Sequence, residues 1–194
     1  MEYDSYQALK SICEKRKSVR LFLDKLVPKD LIEKIKQIAY TSPYTSGKKN
    51  WEIMVVDDNK SIHTIARIVK KHSDEIEKKI REDFREGYTE YAKSFTAFET
   101  APVLFIPTFR VPFALSRMFN DRNDFISEWE RDNYVKSISC VAMLVILAAE
   151  SLGLGSCYMT GPLIAEEQLI ELLNINKEKR IGALIPVGYS KEGG

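Results

Sequence analysis

The stretch that decides the fold runs from residue 133 to residue 161 and reads NYVKSISCVAMLVILAAESLGLGSCYMTG. Its first part, residues 133–152, predicts a helix that is apolar on nearly every side, which favours burial between two layers over a surface position. Gly153, Leu154 and Gly155 then predict the helix end, because glycine tolerates the left-handed backbone of a C-terminal cap. The following segment, 156–161, either forms a plain strand or exposes backbone N–H groups beside a cavity. The sequence alone leaves both interpretations open.

Helices and strands alternate loosely through the rest of the chain. Amphipathic periodicity and helix-start signals predict helices at residues 5–16, from Pro28 onward, at 60–97 with a break near Gly87, and at 165–173. Apolar runs bounded by turn residues predict strands at 51–56, 101–107 and 181–188. No repeat or linker divides residues 1–194, so we expect one α+β domain in which helices cover a mixed sheet.

The composition indicates a globular protein of balanced charge. Of the 194 residues, 44% are hydrophobic and 29% are charged, and the net charge of +1 gives no reason to expect nucleic-acid binding. The chain start lacks the basic and apolar regions of a signal peptide, and the longest apolar run, 141–149, is too short to cross a bilayer. Three cysteines without a CxxC spacing indicate a reducing compartment. We therefore expect a cytoplasmic protein without a membrane partner.

Metal chemistry is not indicated by the sequence. The two histidines, His63 and His72, lie in no metal-binding motif and are expected on helix surfaces. Cys140, inside the apolar run, is expected to behave as a small hydrophobe. An organic cofactor is therefore the natural carrier of any chemistry.

A basic segment, residues 16–22, follows the first predicted helix and reads Arg-Lys-Ser-Val-Arg-Leu-Phe. If it is extended, Arg16, Ser18 and Arg20 point the same way, because side chains alternate along a strand. Arginine forms bidentate bonds to phosphate, and a serine hydroxyl adds a donor, so this arrangement suits a phosphate dianion. A solvated basic turn is the alternative. The GxGxxG and GxxxxGK[ST] phosphate motifs do not occur.

A polar loop, residues 42–50, leads into the strand that begins at Trp51. Its hydroxyl groups could bind a sugar-like chain or the edge of a ring, and an ordinary surface loop explains the same residues equally well.

Taken in order, these segments resemble the nitroreductase family of FMN enzymes. That family opens with Arg-x-Ser-x-Arg/Lys-x-Phe after its first helix, as residues 16–22 do here. It continues with a Ser-Pro loop that leads to a tryptophan, matched by Ser42, Pro43 and Trp51, and with a buried helix that ends in Leu-Gly-Leu-Gly-Ser. Its last strand closes on Gly-Tyr, here residues 188 and 189. The resemblance covers nearly the whole chain.

The resemblance implies a homodimer with an α/β/α sandwich fold, a mixed and mostly antiparallel sheet, and FMN sites shared between the subunits. In this family, NADH or NADPH reduces the flavin and a small oxidant, such as a nitroaromatic or a quinone, reoxidises it. An FMN carrier or sensor with little turnover is the alternative function.

The resemblance also assigns cofactor-binding residues. Arg16 and Ser18 match positions that grip the FMN phosphate, and Arg20 matches the cation near flavin N1 and O2. Thr160 and Gly161 match positions whose backbone N–H groups face flavin N5 and O4. The complete predicted set is Arg16, Lys17, Ser18, Arg20, Pro43, Tyr44, Thr45, Gly47, Ser137, Tyr158, Met159, Thr160 and Gly161. No side chain is assigned as a catalytic acid or base, because the flavin carries the chemistry.

Residues 108–133 combine aromatic side chains with arginines but show no clean periodicity. Such a composition suits stacking on a planar substrate, and an ordinary helix pair packed on the dimer explains it as well. We predict that this segment forms a lid and that Phe119 and Trp129 influence the choice of oxidant.

Overall fold

The computed structural model describes residues 4–44 and 49–191. Within these ranges the chain forms six α-helices, five strands and short 3₁₀ helices. The α-helices are α1 (Ser5–Lys15), α2 (Lys29–Ala39), α3 (Asn59–Glu77), α4 (Glu82–Ala92), α5 (Asp124–Ser151) and α6 (Glu166–Leu172). The strands are β1 (Trp51–Val56), β2 (Val103–Arg110), β3 (Gly155–Ser156), β4 (Lys179–Ile181) and β5 (Ile185–Gly188). The 3₁₀ helices span Lys93–Thr96, Ser116–Met118 and Gly161–Ala165.

Side-chain caps fix the start of three of the helices. Asp4 accepts a hydrogen bond from the backbone N–H of Tyr6 at 3.1 Å, and Asp58 accepts one from the N–H of Ser61 at 2.8 Å. Asn123 does the same for α5, where its Oδ1 lies 3.1 Å from the nitrogen of Ile126. Each cap satisfies an N–H group that has no partner inside the helix.

The sheet has the order β1-β2-β5-β3, and β4 pairs with β2 beside β5. Every ladder between these strands is antiparallel. An isolated parallel bridge between Ser18 and Ser156 adds the segment after α1 to the outer side of β3. The expected mixed, mostly antiparallel sheet is confirmed.

Both faces of the sheet are covered, as β2 shows. On one face Val103, Phe105 and Phe109 join a core cluster with residues of α2 and α5. On the other face Leu104 and Ile106 join a second cluster with residues of α3 and α6. Because successive side chains of a strand point to opposite faces, the run of buried residues in β2 requires a helical layer on each side. The α/β/α sandwich is therefore confirmed.

The long helix α5 begins at Asp124, earlier than the predicted residue 133. By length and composition it could cross a membrane, but nine of its side chains are buried in the folded chain. Its burial is one-sided: Val145 and Ala149 are fully buried, whereas Val135, Cys140 and Met143 are exposed. Within one chain α5 is therefore buried on one side and not between two layers as expected, and the thiol of Cys140 lies on its outward face.

Other boundaries also differ from the prediction. The helical region after β1 breaks at residues 78–81, and Gly87 lies inside α4. β2 extends to Arg110, so the first residues of the predicted lid belong to the sheet. The predicted last strand is two strands, β4 and β5, which both pair with β2.

Helix α4 is attached to the domain through few contacts. None of its residues is buried, and Phe84 and Tyr91 are 61% and 65% exposed. Tyr88 holds it to α3, because its hydroxyl lies 2.9 Å from the Ser73 hydroxyl and donates to the Ser73 carbonyl at 3.2 Å. Thr89 adds a hydrogen bond to Glu77.

Candidate functional site

The basic segment 16–22 runs along the outer strand of the sheet. Arg16 caps the C-terminus of α1, and the backbone then becomes extended. The N–H of Val19 donates to the carbonyl of Ser156 at 3.0 Å, which fixes the segment against β3. Val19 and Phe22 point into a small apolar cluster, whereas Lys17, Ser18 and Arg20 are exposed and Arg16 is half-buried. The hydrophobic anchors therefore leave the polar side chains facing outward.

Gly155 allows this close approach. A Cβ at that position would lie 2.7 Å from Cγ2 of Val19, nearer than real Cβ contacts come. The Leu-Gly-Leu-Gly sequence at the end of α5 thus ends the helix and also makes a tertiary contact possible, between Gly155 and Val19. It lets the basic segment pack directly on β3.

A cavity of about 150 Å³ connects the basic segment with residues 157–161, the end of the stretch 133–161 with which the sequence analysis began. Its lining residues are Arg20, Tyr91, Ser94, Phe95, Cys157, Tyr158, Met159, Thr160, Gly161 and Pro162. We call this the Arg20 cavity. It brings together Arg20 and the predicted segment 158–161, which are far apart in sequence.

Backbone donors are available at one wall of the Arg20 cavity. Met159 uses its N–H and its carbonyl in a bridge to Leu184, at 3.1 and 2.9 Å. In the described part of the chain, no hydrogen bond uses the N–H of Thr160 or Gly161. These donors and the Arg20 guanidinium could therefore bind an electron-rich ligand. The predicted role of Thr160 and Gly161 needs such free donors.

Another part of the Arg20 cavity is lined by residues that the sequence did not single out: Tyr91, Ser94 and Phe95. Gly161 packs on the Phe95 ring, since an added Cβ would lie 2.4 Å from Cδ1 of Phe95. The Tyr91 ring meets the Phe95 ring edge to face, with centroids 4.9 Å apart. The aromatic content of this region was visible in the sequence, but nothing local distinguished cavity-facing rings from core rings. No residue of the predicted lid lines the Arg20 cavity within one chain.

Cys157 lies beneath the cations of the basic segment. Burial raises the pKa of its thiol, while Arg20, a hydrogen bond with Ser18, and Arg16 act in the opposite direction. The neutral thiol is therefore the stable form, and it serves as a packing group.

A second group of predicted residues lies elsewhere. Ser137 on α5 donates to the carbonyl of Pro43 at 3.5 Å, and Tyr44 and Ser137 both border a small cavity beside Trp51. Within one chain Ser137 thus lies with Pro43 and Tyr44 and not in the lining of the Arg20 cavity, and its contact with the cofactor stays a prediction. Thr45 and Gly47 lie outside the described residues.

The start of β1 anchors this second group. The ammonium of Lys49 lies 3.6 Å from the Tyr40 ring centroid and 4.3 Å from that of Trp51, and the two rings stack 5.5 Å apart. Tyr40 and Lys49 stand at opposite ends of the polar loop, so this contact closes the loop at its base.

The predicted site is therefore divided in one chain. The Arg20 cavity lies next to β3, and the Pro43–Ser137 group lies next to β1, at the other end of the strand order. Neither of these two cavities has a member of the other group in its lining.

The fold is an α/β/α sandwich with a basic segment on its edge strand. Arg20 of that segment shares a cavity with Thr160 and Gly161, whose N–H groups have no partner in the described residues. These features define a class of α+β proteins that can bind an anionic, aromatic cofactor. Comparison with known sequences gives the family. The Nitroreductase family model matches residues 13–189, so the chain belongs to the nitroreductase family.

Curated relatives include proteins with different named activities. Iodotyrosine deiodinase 1 of Mus musculus is 26% identical over 94% of this chain, which spans only 62% of the mouse protein. Iodotyrosine deiodinase of Thermotoga neapolitana is 27% identical over 93% of this chain and 88% of its own length. A putative NADH dehydrogenase/NAD(P)H nitroreductase of Archaeoglobus fulgidus is 24% identical over 91% of this chain and 82% of its own.

Solved structures share the fold. A BluB-like flavoprotein from Clostridium difficile 630 superposes with a TM-score of 0.84 at 23% identity, over 96% of this chain and 91% of that one. An iodotyrosine deiodinase bound to FMN and 3-iodo-L-tyrosine gives a TM-score of 0.71 at 22% identity, with the same coverage. The expectation of FMN is confirmed at the level of the family, since a solved relative holds that cofactor.

Proposed function

We propose that this chain binds FMN and catalyses the transfer of electrons from NADH or NADPH to a small oxidant. The observation that carries the proposal is the Arg20 cavity, whose lining includes the cationic Arg20 together with Thr160 and Gly161, two residues whose backbone N–H groups have no hydrogen-bond partner in the described residues. Flavin chemistry needs such groups, because the reduced ring is an anion whose charge a nearby cation stabilises. With a quinone as oxidant, the net reaction consumes NAD(P)H and a proton and yields NAD(P)⁺ and the hydroquinone.

The residues present fit FMN. Arg16, Lys17 and Ser18 would hold the phosphate as charge-assisted donors. Arg20 would neutralise charge on the pyrimidine side of the ring, and the N–H groups of Thr160 and Gly161 would donate to its polar edge. When bound, FMN supplies the redox chemistry, by accepting a hydride equivalent and releasing two electrons to the oxidant.

The divided site supports a homodimer. Pro43, Tyr44 and Ser137 cannot reach the Arg20 cavity of their own chain as the strand order places them, and a second copy could bring its equivalent group there. Exposed apolar side chains on α1 and α5 offer a surface for that contact: Tyr6, Leu9, Val135 and Met143. We place the protein in the cytoplasm, in line with its cysteine usage.

Reductive removal of iodine from an aromatic ring is a second candidate function. The names of the mouse and Thermotoga relatives favour it. It would use the same cofactor and a different oxidant.

An anaerobic bleaching titration tests the proposal. The purified protein should be yellow, should lose its flavin colour when NADH or NADPH is added, and should regain it with benzoquinone or a nitroaromatic. Yellow protein that neither nucleotide bleaches would support the carrier function. Protein that stays colourless after incubation with FMN would contradict the proposal.

Two variants make this experiment specific. Arg16→Ala should weaken FMN binding by about one to two decades, because a charge-assisted hydrogen bond contributes about 1.5–3 kcal/mol. Lys10→Ala removes an exposed cation from α1, the helix that precedes the basic segment, and should bind FMN like the parent. Lys10 pairs with Glu14 at 3.8 Å. Equal FMN affinity in the Arg16 variant and the parent would show that the basic segment is not the phosphate site.

A further inference from the structure

A turn shortly after β2 holds an aromatic residue in a strained conformation. Phe113 has a φ of 48°, in the left-handed region that bulky side chains rarely occupy. Such a conformation persists only where the surrounding structure imposes it, and strained backbone of this kind is found most often at functional sites. A specific contact must therefore hold the turn in place.

Glu130 of α5 provides this contact. Its carboxylate is 6% exposed and accepts hydrogen bonds from the N–H groups of Leu115 and Ser116, at 2.8 and 2.9 Å, and from the Ser116 hydroxyl. Successive N–H groups that face one anion bind it strongly, because the hydrogen bonds are charge-assisted. We call residues 113–118, held in this way, the Glu130 turn.

Exposed aromatic side chains lie at both ends of the Glu130 turn and beside Glu130 in sequence. Phe113 and Phe119 are 38% and 44% exposed, and Trp129 is 50% exposed. We call these three residues the aromatic group. Because Glu130 joins the turn to α5 next to Trp129, its hydrogen bonds fix where the two phenylalanines lie relative to the tryptophan.

The position of Trp129 on α5 relates the aromatic group to the proposed cofactor site. Residues eight apart share a face of a helix, so Trp129 lies on the same face as Ser137, about 12 Å away along the helix axis. Ser137 belongs to the Pro43–Ser137 group, which the proposed dimer brings to the Arg20 cavity of the second copy. The aromatic group then reaches the same cavity from the same side.

We propose that Glu130 is a positioning residue for the oxidant: by holding the turn in its strained form, it places the aromatic group beside the cofactor of the second copy, where the rings pack on the oxidant. In this role Glu130 touches neither the cofactor nor the oxidant and acts through the turn. The inference rests on the proposed function for the redox step and on the dimer. It gives the predicted lid at residues 108–133 a physical basis, a turn fixed by a buried carboxylate.

Limited trypsin digestion tests the local role of Glu130. Arg117 is an exposed residue of the turn, and cleavage after it requires the turn to open. Cleavage after Lys34, an exposed residue of α2, reports opening elsewhere in the fold, so the ratio of the two rates isolates the turn. This ratio should rise on the order of tenfold in Glu130→Gln, because an amide cannot replace the charge-assisted bonds. It should keep the parent value in Glu128→Gln, at an exposed position of the same helix.

A second variant tests the role of the strain. Glycine adopts a positive φ without strain, so Phe113→Gly in the Glu130→Gln background should recover part of the lost protection at Arg117. Equal cleavage ratios in Glu130→Gln and Glu128→Gln would overturn the proposal. So would a double variant that is cleaved no more slowly than Glu130→Gln.

Reoxidation of the flavin tests the functional role in the FMN-loaded protein. The flavin is reduced with dithionite, so neither nucleotide is needed, and the rate of reoxidation is measured against the concentration of benzoquinone. Glu130→Gln should require about three- to tenfold more benzoquinone for the half-maximal rate, as expected for weakened aromatic contacts, and should bind FMN as tightly as the parent. Glu128→Gln should match the parent in both measurements. An effect on stability alone would leave the benzoquinone requirement of the folded protein unchanged.

The outcomes separate this inference from the proposed function. A raised benzoquinone requirement in Glu130→Gln supports the inference even if neither NADH nor NADPH bleaches the flavin, a result that would contradict the proposed function alone. Bleaching by a nicotinamide together with an equal benzoquinone requirement in Glu130→Gln and Glu128→Gln would contradict the inference alone. Loss of FMN from Glu130→Gln would also contradict the inference, since the segment would then be scaffold for the cofactor.

Discussion

At Gly161 the chain has room for a hydrogen atom and little more. The Phe95 ring fills the space where a Cβ would stand, and Phe95 is itself locked in the core cluster with α3 and α6. Gly87, in the middle of α4, is the opposite case, because an added Cβ would meet no atom within 4 Å.

These two glycines make a matched pair of variants. Gly161→Ala should lower the free energy of unfolding by about 1–3 kcal/mol through overpacking and should weaken FMN binding, because the wall of the cavity must shift. Gly87→Ala should raise the free energy of unfolding by about 0.5–1 kcal/mol, since alanine favours the helix. Urea denaturation measures both changes. A Gly161→Ala protein as stable as the parent would show that the Phe95 ring can move aside.

At the scale of elements, a buried carboxylate ties the segment after β2 to α5. Glu130 is 6% exposed and accepts hydrogen bonds from the N–H groups of Leu115 and Ser116, at 2.8 and 2.9 Å, and from the Ser116 hydroxyl at 2.5 Å. Burial alone would raise the pKa of Glu130, but these bonds and one from the N–H of Ala114 outweigh it and hold the pKa below its usual value.

The anionic form of Glu130 is therefore the one that stabilises the fold. Since its pKa is lower in the folded than in the unfolded chain, the stabilisation is present above the ordinary glutamate pKa of about 4.3 and is lost as the pH falls through the folded value. Glu130→Gln should cost about 1.5–3 kcal/mol of unfolding free energy at neutral pH. Glu128→Gln, at an exposed position of the same helix, should cost nothing measurable. If Glu130→Gln were still less stable than the parent at low pH, where the parent carboxylate is protonated, the loss could not be assigned to the negative charge.

At the scale of the whole molecule, the exposed side of α5 offers a surface for a second copy. Met143 is 50% exposed on a helix whose other face is fully buried, and Leu172 on α6 is 40% exposed on a different surface. Met143→Glu should give a monomer that does not retain FMN, because a charge would be buried at the contact. Leu172→Glu should leave a flavin-loaded dimer.

Sedimentation velocity at micromolar concentration, with detection at the flavin absorbance, measures the oligomeric state and the bound flavin of both variants. A parent protein that sediments as a flavin-loaded monomer would contradict the dimer. So would a Met143→Glu variant that remains dimeric and yellow.

Local patterns in the sequence determined the family, the covering of the sheet by helices, the limits of β1 and the position of the basic segment, and the α/β/α layering followed from the family resemblance. Each of these depends on neighbouring residues, through a buried apolar stripe, a cap or a fixed motif spacing. The prediction of a single domain for residues 1–194 is of the same kind and stays a prediction. The early start of α5 was missed because residues 124–132 are rich in charge, and the hydrogen bonds of Glu130 that hold them form only in the folded chain.

Only the tertiary structure decided which residues share a cavity. Arg20, Phe95 and Gly161 are brought together by strand pairing and by packing on α3, and none of them has a local signal for the others. The same holds for the separation of the Pro43–Ser137 group from Arg20, which follows from the strand order β1-β2-β5-β3. Contacts between residues far apart in sequence are set by the arrangement of the whole chain. The local sequence around an aromatic residue does not show whether its ring faces the core or a cavity.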